Sequence, residues 1–274
     1  MNFTLLLGSP PFRVALYGAG GFASLTWLLS VVFREYSWVD RLWSIAPPLY
    51  VAYFAYASGF DARLVVMAAL TTLWGARLTF NYARKGGYAR GGEDYRWAEL
   101  RKRMSPALFQ VFNLVFISGI QNAILLLISL PAWAAFLHSG TPLGPLDGIA
   151  GLLFLGLLAG ETLADEQQWR FHQRKKAQRA RGEAATEAFL TTGLFRYSRH
   201  PHFFCEQAMW WTIYLFSVAS GAPWLNVTVI GPVVLTLLFQ GSTNFTEDLT
   251  LAKYPSYAAY QKTTSRLIPM PPRA

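Results

Sequence analysis

The sequence predicts an all-α, polytopic membrane protein. It reads as a helical bundle of about seven transmembrane helices, with the N-terminus outside and the C-terminus cytoplasmic. Three observations predict this. The 274 residues are 53% apolar and only 14% charged, against roughly 25% charged in an ordinary soluble domain. Seven apolar runs approach the roughly 20 residues that a membrane helix needs. Of the 24 basic residues, all except Arg13, Arg63 and Arg77 fall in alternate connections or in the tail, which is the bias of cytoplasmic loops. This composition excludes a disordered chain and a nucleic-acid-binding arm, and it speaks against a soluble enzyme. Ten Trp suit a chain with many membrane–water interfaces. The lone Cys205 excludes an internal disulfide framework and a Cys-based zinc site. The length fits a single membrane domain over residues 1–274.

Each run has its own justification. The first, 12–33, lacks a basic leading region and a small-residue cleavage site, so it reads as a retained helix and not as a signal peptide. Within it Gly18-Ala19-Gly20-Gly21-Phe22-Ala23 fits G-x-G-x-x-A, but without a preceding strand the dinucleotide fingerprint lacks its context. Runs 42–60 and 64–83 follow. The latter carries Arg77, with Asn81 one turn on; an intramembrane cation needs a carboxylate, a wet cavity or a reach to the interface. Run 108–137 is long enough for a tilted or broken helix. Splitting it in two would reverse the sidedness downstream. Run 149–164 is short unless it continues helically through Glu161 and Asp165. Runs 203–219 and 224–239 complete the seven. Three polar stretches are long enough to have shape of their own: 84–106, 166–201 and the Tyr-rich tail 249–274. The Asn-x-Thr triplets at Asn2, Asn226 and Asn244 abut the membrane or the chain end and are discounted as glycosylation acceptors.

Two clusters point to chemistry. Glu161 and Asp165 are spaced i, i+4, and Gln168 continues their helix face. Carboxylates at membrane depth are costly and by default mark function; the bland reading is a helix end meeting water. Arg196, Tyr197, Arg199, His200 and Glu206 gather where Pro201 opens a helix. Paired Arg side chains at a positive helix end suit phosphate; the bland reading is headgroup anchoring. The loop from Gly91 to Arg96 mixes acid, base and aromatic, with Gly permitting close approach. His172, His200 and His202 give no three-ligand metal geometry, so no metal is expected.

Glu161, Asp165, Gln168 and Phe171, then the run from Gly193 to Pro201, Glu206, the stretch from Tyr254 to Gln261 and Arg266-Leu267-Ile268-Pro269 together resemble the steroid 5-alpha-reductase superfamily. More closely they are similar to its bacterial-type branch with Gly-Glu-Asp-Tyr-Arg loops, here 92–96. The most family-like part is 150–272. The resemblance implies a seven-helix bundle that holds NADPH in a cytoplasm-facing pocket and passes a hydride to an activated carbon–carbon double bond of a small lipophilic substrate from the bilayer. It implies cofactor-binding roles for Glu161, Asp165, Gln168, Arg196, Tyr197, Arg199, His200 and Glu206, with Arg77, Arg96 and Tyr254 closing the pocket. The steroid reductases carry a Gln-Glu pair where 42–60 has neither residue, a Tyr at Trp74 and an Asn at His202. Tyr82, His202 and Tyr53 are therefore the catalytic candidates for stabilising the developing oxygen anion.

The same Arg-His-Pro…Glu pattern resembles the isoprenylcysteine carboxyl methyltransferases, whose cofactor is S-adenosylmethionine. That is the main alternative, and a non-catalytic lipid-binding relative is the third. The membrane would be the inner membrane of a bacterium or the endoplasmic reticulum of a eukaryote.

Overall fold

The computed structural model describes residues 7–184 and 187–273; the triplet at Asn2 lies outside them. The fold is all-α, with no strand among the described residues. The helices are α1 (Pro10–Phe33), α2 (Trp38–Trp43), α3 (Ala46–Ala57), α4 (Ala62–Arg84), α5 (Tyr95–Lys102), α6 (Pro106–Phe112), α7 (Gln121–Leu137), α8 (Pro145–Ala180), α9 (Pro201–Ala219), α10 (Ile230–Lys253) and α11 (Tyr257–Thr263). Helix starts follow the sequence. Proline opens α1, α6, α8 and α9, where its missing N–H is no loss. Asp61 caps α4 by accepting from Arg63 N and Leu64 N, and Asp94 caps α5 through Arg96 N at 2.9 Å.

Five helical stretches are long and apolar enough to cross a membrane: Pro10–Phe33, Ala62–Arg84, Pro106–Leu137, Pro145–Ala180 and Val227–Lys253. They mark the chain as an integral membrane protein. The run expected at 42–60 is broken after Trp43, and α3 has 12 residues, about 18 Å of rise. Helix α9 has 19 residues. The fourth run is one helical stretch whose middle, Asn113–Ile120, is wound as a π-helix joining α6 to α7. The fifth continues through Glu161 and Asp165 to Ala180. The glycines at positions 18, 20 and 21 lie inside α1, away from any strand.

The chain forms two compact units, 1–151 with 213–234 and 152–212 with 235–274. In the first unit α7 is central, packed by α1, α3 and α4. Close approach fixes two small residues: a Cβ on Gly75 would strike the Ser44 carbonyl, and one on Gly231 the Leu127 carbonyl. Arg63, placed by sequence in an outer loop, is 1% exposed. Its guanidinium spans both Asp147 oxygens at 2.7 and 3.0 Å, and also donates to Thr141 Oγ1 and the Pro142 carbonyl. In the second unit Ala164, Phe171, Leu190 and Phe195 form a small core on the inner face of α8.

Candidate functional site

In the second unit, α8 meets α9 where a Cβ on Gly160 would lie 3.1 Å from Cys205 Sγ. The next residue on each helix is a carboxylate, Glu161 on α8 and Glu206 on α9; each is 4% exposed. Asp165, one turn along α8, is also buried. Glu206 Oε1 accepts from Trp210 Nε1 at 3.1 Å. His202 stands one turn before Glu206, with its ring against Phe203 and Phe195. Gln168 is half-buried beside Asp165, but the neighbouring Gln167 holds the loop. Its Oε1 accepts from Leu194 N at 2.9 Å, and it fills the space a Cβ on Gly193 would need. Gly193 has φ +66°, a left-handed backbone that favours glycine. The turn it opens leaves Arg196 and Tyr197 exposed.

The residue that organises the start of α9 is one the sequence argument missed. Glu247 of α10 is buried and accepts two parallel bonds from Arg199, at 2.6 and 3.0 Å. It also pairs with His200 Nε2 at 3.0 Å, Gln261 Nε2 at 2.9 Å and the Tyr257 hydroxyl at 3.3 Å. The remaining Arg199 nitrogen donates to the carbonyls of Gln261 and Thr264. Backbone bonds from Arg199 N to the Ser265 carbonyl and from His200 N to the Arg266 carbonyl tie the same segment to the tail. Arg199, expected on a phosphate, is therefore committed to a carboxylate and two carbonyls. Burial raises the Tyr257 hydroxyl above the usual phenol range, with Glu247 adding to it, and burial likewise raises Tyr260. The Tyr260 hydroxyl donates to the Phe195 carbonyl. Tyr254 takes a bond from Lys175 at 3.2 Å, which lowers its hydroxyl. The Glu247 signal was available: extending the run 224–239 helically by two turns sets a carboxylate at membrane depth, the argument that selects Glu161.

Arg77, Tyr82 and Arg96 belong to the first unit. Arg77 is half-buried, one turn after the buried Trp74. Tyr82 packs edge-on against Tyr88, and Gly87 lies flat against its ring, where a Cβ would overlap. The Gly-rich loop is held by its acids. Glu93 accepts from Tyr36 N at 2.9 Å and Arg101 at 2.7 Å. Asp94 N donates to Ser37 Oγ at 2.9 Å, and the Asp94 carboxylate accepts two bonds of 2.9 Å from Arg96. Burial opposes the Arg96 charge, but Asp94 outweighs it and raises the guanidinium further. Asp40 accepts from Trp97 Nε1 at 2.8 Å, and burial raises its carboxyl above the usual range against the pull of Arg96. No group of three or more metal-ligating side chains is present among the described residues.

Comparison with known proteins gives the family. An uncharacterized protein of Schizosaccharomyces pombe is similar at 38% identity over 274 residues, covering 94% of this chain and 80% of its own. No solved structure matches. The family described as "Protein of unknown function (DUF1295)" matches residues 26–264, which takes in both units, and the chain belongs to that family.

Proposed function

We propose that this chain is a membrane reductase of the steroid 5-alpha-reductase type, using NADPH on an activated C=C bond of a lipophilic substrate. The observation that carries the reading is the burial of three carboxylates, Glu161, Asp165 and Glu206, on two adjoining helices of one unit, since ionisable groups within membrane helices mark function by default. Their chemistry fits the cofactor: Glu161, Asp165 and Glu206 would accept from ribose hydroxyls and carboxamide. The exposed Arg174, Lys176, Arg179 and Arg196 would neutralise phosphates. When bound, the nicotinamide supplies the hydride. The protein must orient the substrate, exclude water and stabilise the oxygen anion. His202, one turn from Glu206, is the proton-holding group of this reading.

A second reading is S-adenosylmethionine-dependent methyl transfer. The commitment of Arg199 to Glu247 favours it, because it takes one cation from a phosphate site and leaves a carboxylate-lined one, which suits a sulfonium. Calorimetry of NADPH and S-adenosylmethionine against the purified protein separates the two. The reductase reading expects saturable NADPH binding that Arg196→Ala weakens by about tenfold, the low end for a lost charged hydrogen bond. It also expects Asp165→Asn to weaken NADPH binding. Saturable S-adenosylmethionine binding with no NADPH response reverses the choice.

A further inference from the structure

We infer that the seam between α1 and the π-wound segment of the first unit binds the hydroxyl group of an apolar alcohol. Asn113, Ser118 and Asn122 are each no more than 1% exposed. Asn113 Nδ2 donates to Ser30 Oγ at 2.8 Å and Asn122 Nδ2 to Thr26 Oγ1 at 3.2 Å. The amide orientations are fixed by chemistry. Ser30 gives its proton to the Trp27 carbonyl at 2.7 Å and Thr26 to the Phe22 carbonyl at 2.9 Å, so both hydroxyls can only accept here. Asn122 Nδ2 also donates to the Ser118 carbonyl at 2.8 Å. Both side-chain carbonyls, Asn113 Oδ1 and Asn122 Oδ1, are left buried with no partner, as is Ser118 Oγ. One turn back along α1, Tyr50 packs on Phe22 at 6.2 Å between ring centroids, and its hydroxyl is likewise buried and unpartnered.

The π winding makes this alignment. At about 100° per residue an α-helix would set Asn113 and Asn122 on opposite faces; the wider turn brings both to α1. The result is two unmet acceptors at α1, Asn113 Oδ1 and Asn122 Oδ1, with the unmet Ser118 hydroxyl four residues before Asn122, inside an apolar bundle. Unmet buried acceptors are costly, and they call for a donor. The groups are uncharged amides and hydroxyls, so they suit a neutral O–H and offer an ammonium no counter-charge. The surrounding helices, long and apolar enough to span the bilayer, suit a hydrocarbon body. This inference is independent of the reductase reading.

The probe is dodecanol carrying a diazirine in its chain, photolysed with the protein in lipid nanodiscs and mapped by peptide mass spectrometry. Saturable labelling of α1 or of residues 113–122 is expected. Unlabelled 1-dodecanol should compete, and its methyl ether should do so about tenfold less well, the equivalent of one lost hydrogen bond. Ser118→Ala, which removes no observed side-chain bond, and Asn122→Leu should each cut labelling severalfold; Ser118→Ala should leave the melting curve unchanged. Equal competition by alcohol and ether overturns the inference. So does unsaturable labelling spread over the lipid-facing surface, the outcome if water alone meets these groups.

Discussion

Glu247 shows how one side chain can decide a segment. It and Arg199 are nearly buried and share two bonds. Removing one partner of such a pair strands the other charge and costs about 3–5 kcal/mol. Glu247→Gln should therefore lower stability by that amount in a detergent melt, and Glu247→Gln with Arg199→Gln should recover part of it. A loss below about 1 kcal/mol, the range of exposed pairs, would remove Glu247 from this role. Asp40 gives a prediction of opposite sign. Burial raises its folded-state carboxyl, so its charged form opposes folding, and stability falls as pH rises through that raised value. Asp40→Asn keeps an acceptor for Trp97 and removes the penalty. It should raise the melting temperature at neutral pH, with the gain vanishing on acidification below the ordinary carboxylate range; a gain that persists at low pH contradicts the assignment. The sequence made Glu161, Asp165 and Glu206 legible because a carboxylate in an apolar run is visible without coordinates. It did not separate Gln167 from Gln168, because helical spacing gives faces and not partners: Gln167 lies with Gly160, Ala164 and Phe171. Nor did it pair Glu247 with Arg199, which are 48 positions apart.

At the scale of elements, apolar length placed all seven runs on helices, since burying a backbone in lipid leaves it no other open course. It could not see the break after Trp43, made by the Ser44–Ile45 turn, or the π winding, which depends on side chains presented to α1. The π segment gives a test of its own. Deleting Val115, a 52% exposed residue within it, lets the stretch wind as an ordinary α-helix. Asn113 and the former Asn122 are then eight residues apart, about 80° around the axis, and both still face α1. The deletion should fold with a melting temperature near the parent's. A deletion that melts well below the parent would show that the winding does not set the α1 contact.

For the whole molecule, α3 and α9 decide how many times the chain crosses the membrane: α3 has 12 residues, and α9, with 19, carries His202, Glu206 and Gln207 and is not among the five stretches both long and apolar enough. Hydrogen bonds between chain-distant ends supply what length and composition do not. Arg41 Nε reaches the Gly87 carbonyl at 3.1 Å and Ser37 meets Asp94, so the chain before α3 and the chain after α4 share one end of their unit. Asp61 accepts from Gly140 N at 2.8 Å, and Thr141 Oγ1 reaches the Ser220 carbonyl at 3.3 Å, gathering the start of α4, the end of α7 and the end of α9. Helices α3 and α4 are thus an out-and-back pair. In the other unit, Arg199 N and His200 N bond to the tail carbonyls of Ser265 and Arg266, so the start of α9 lies with the end of α10, and these two are likewise out and back. Each short helix therefore travels with a long return partner, and the predicted count is seven. Seven passes would put the basic stretches 84–103, 170–199 and 253–273 on the side that the positive-inside bias predicts to be cytoplasmic. Impermeant maleimide on intact cells should label a cysteine placed at Ser139, and should label one at Lys262 only after lysis. Labelling of both in intact cells would mean that α9 does not cross.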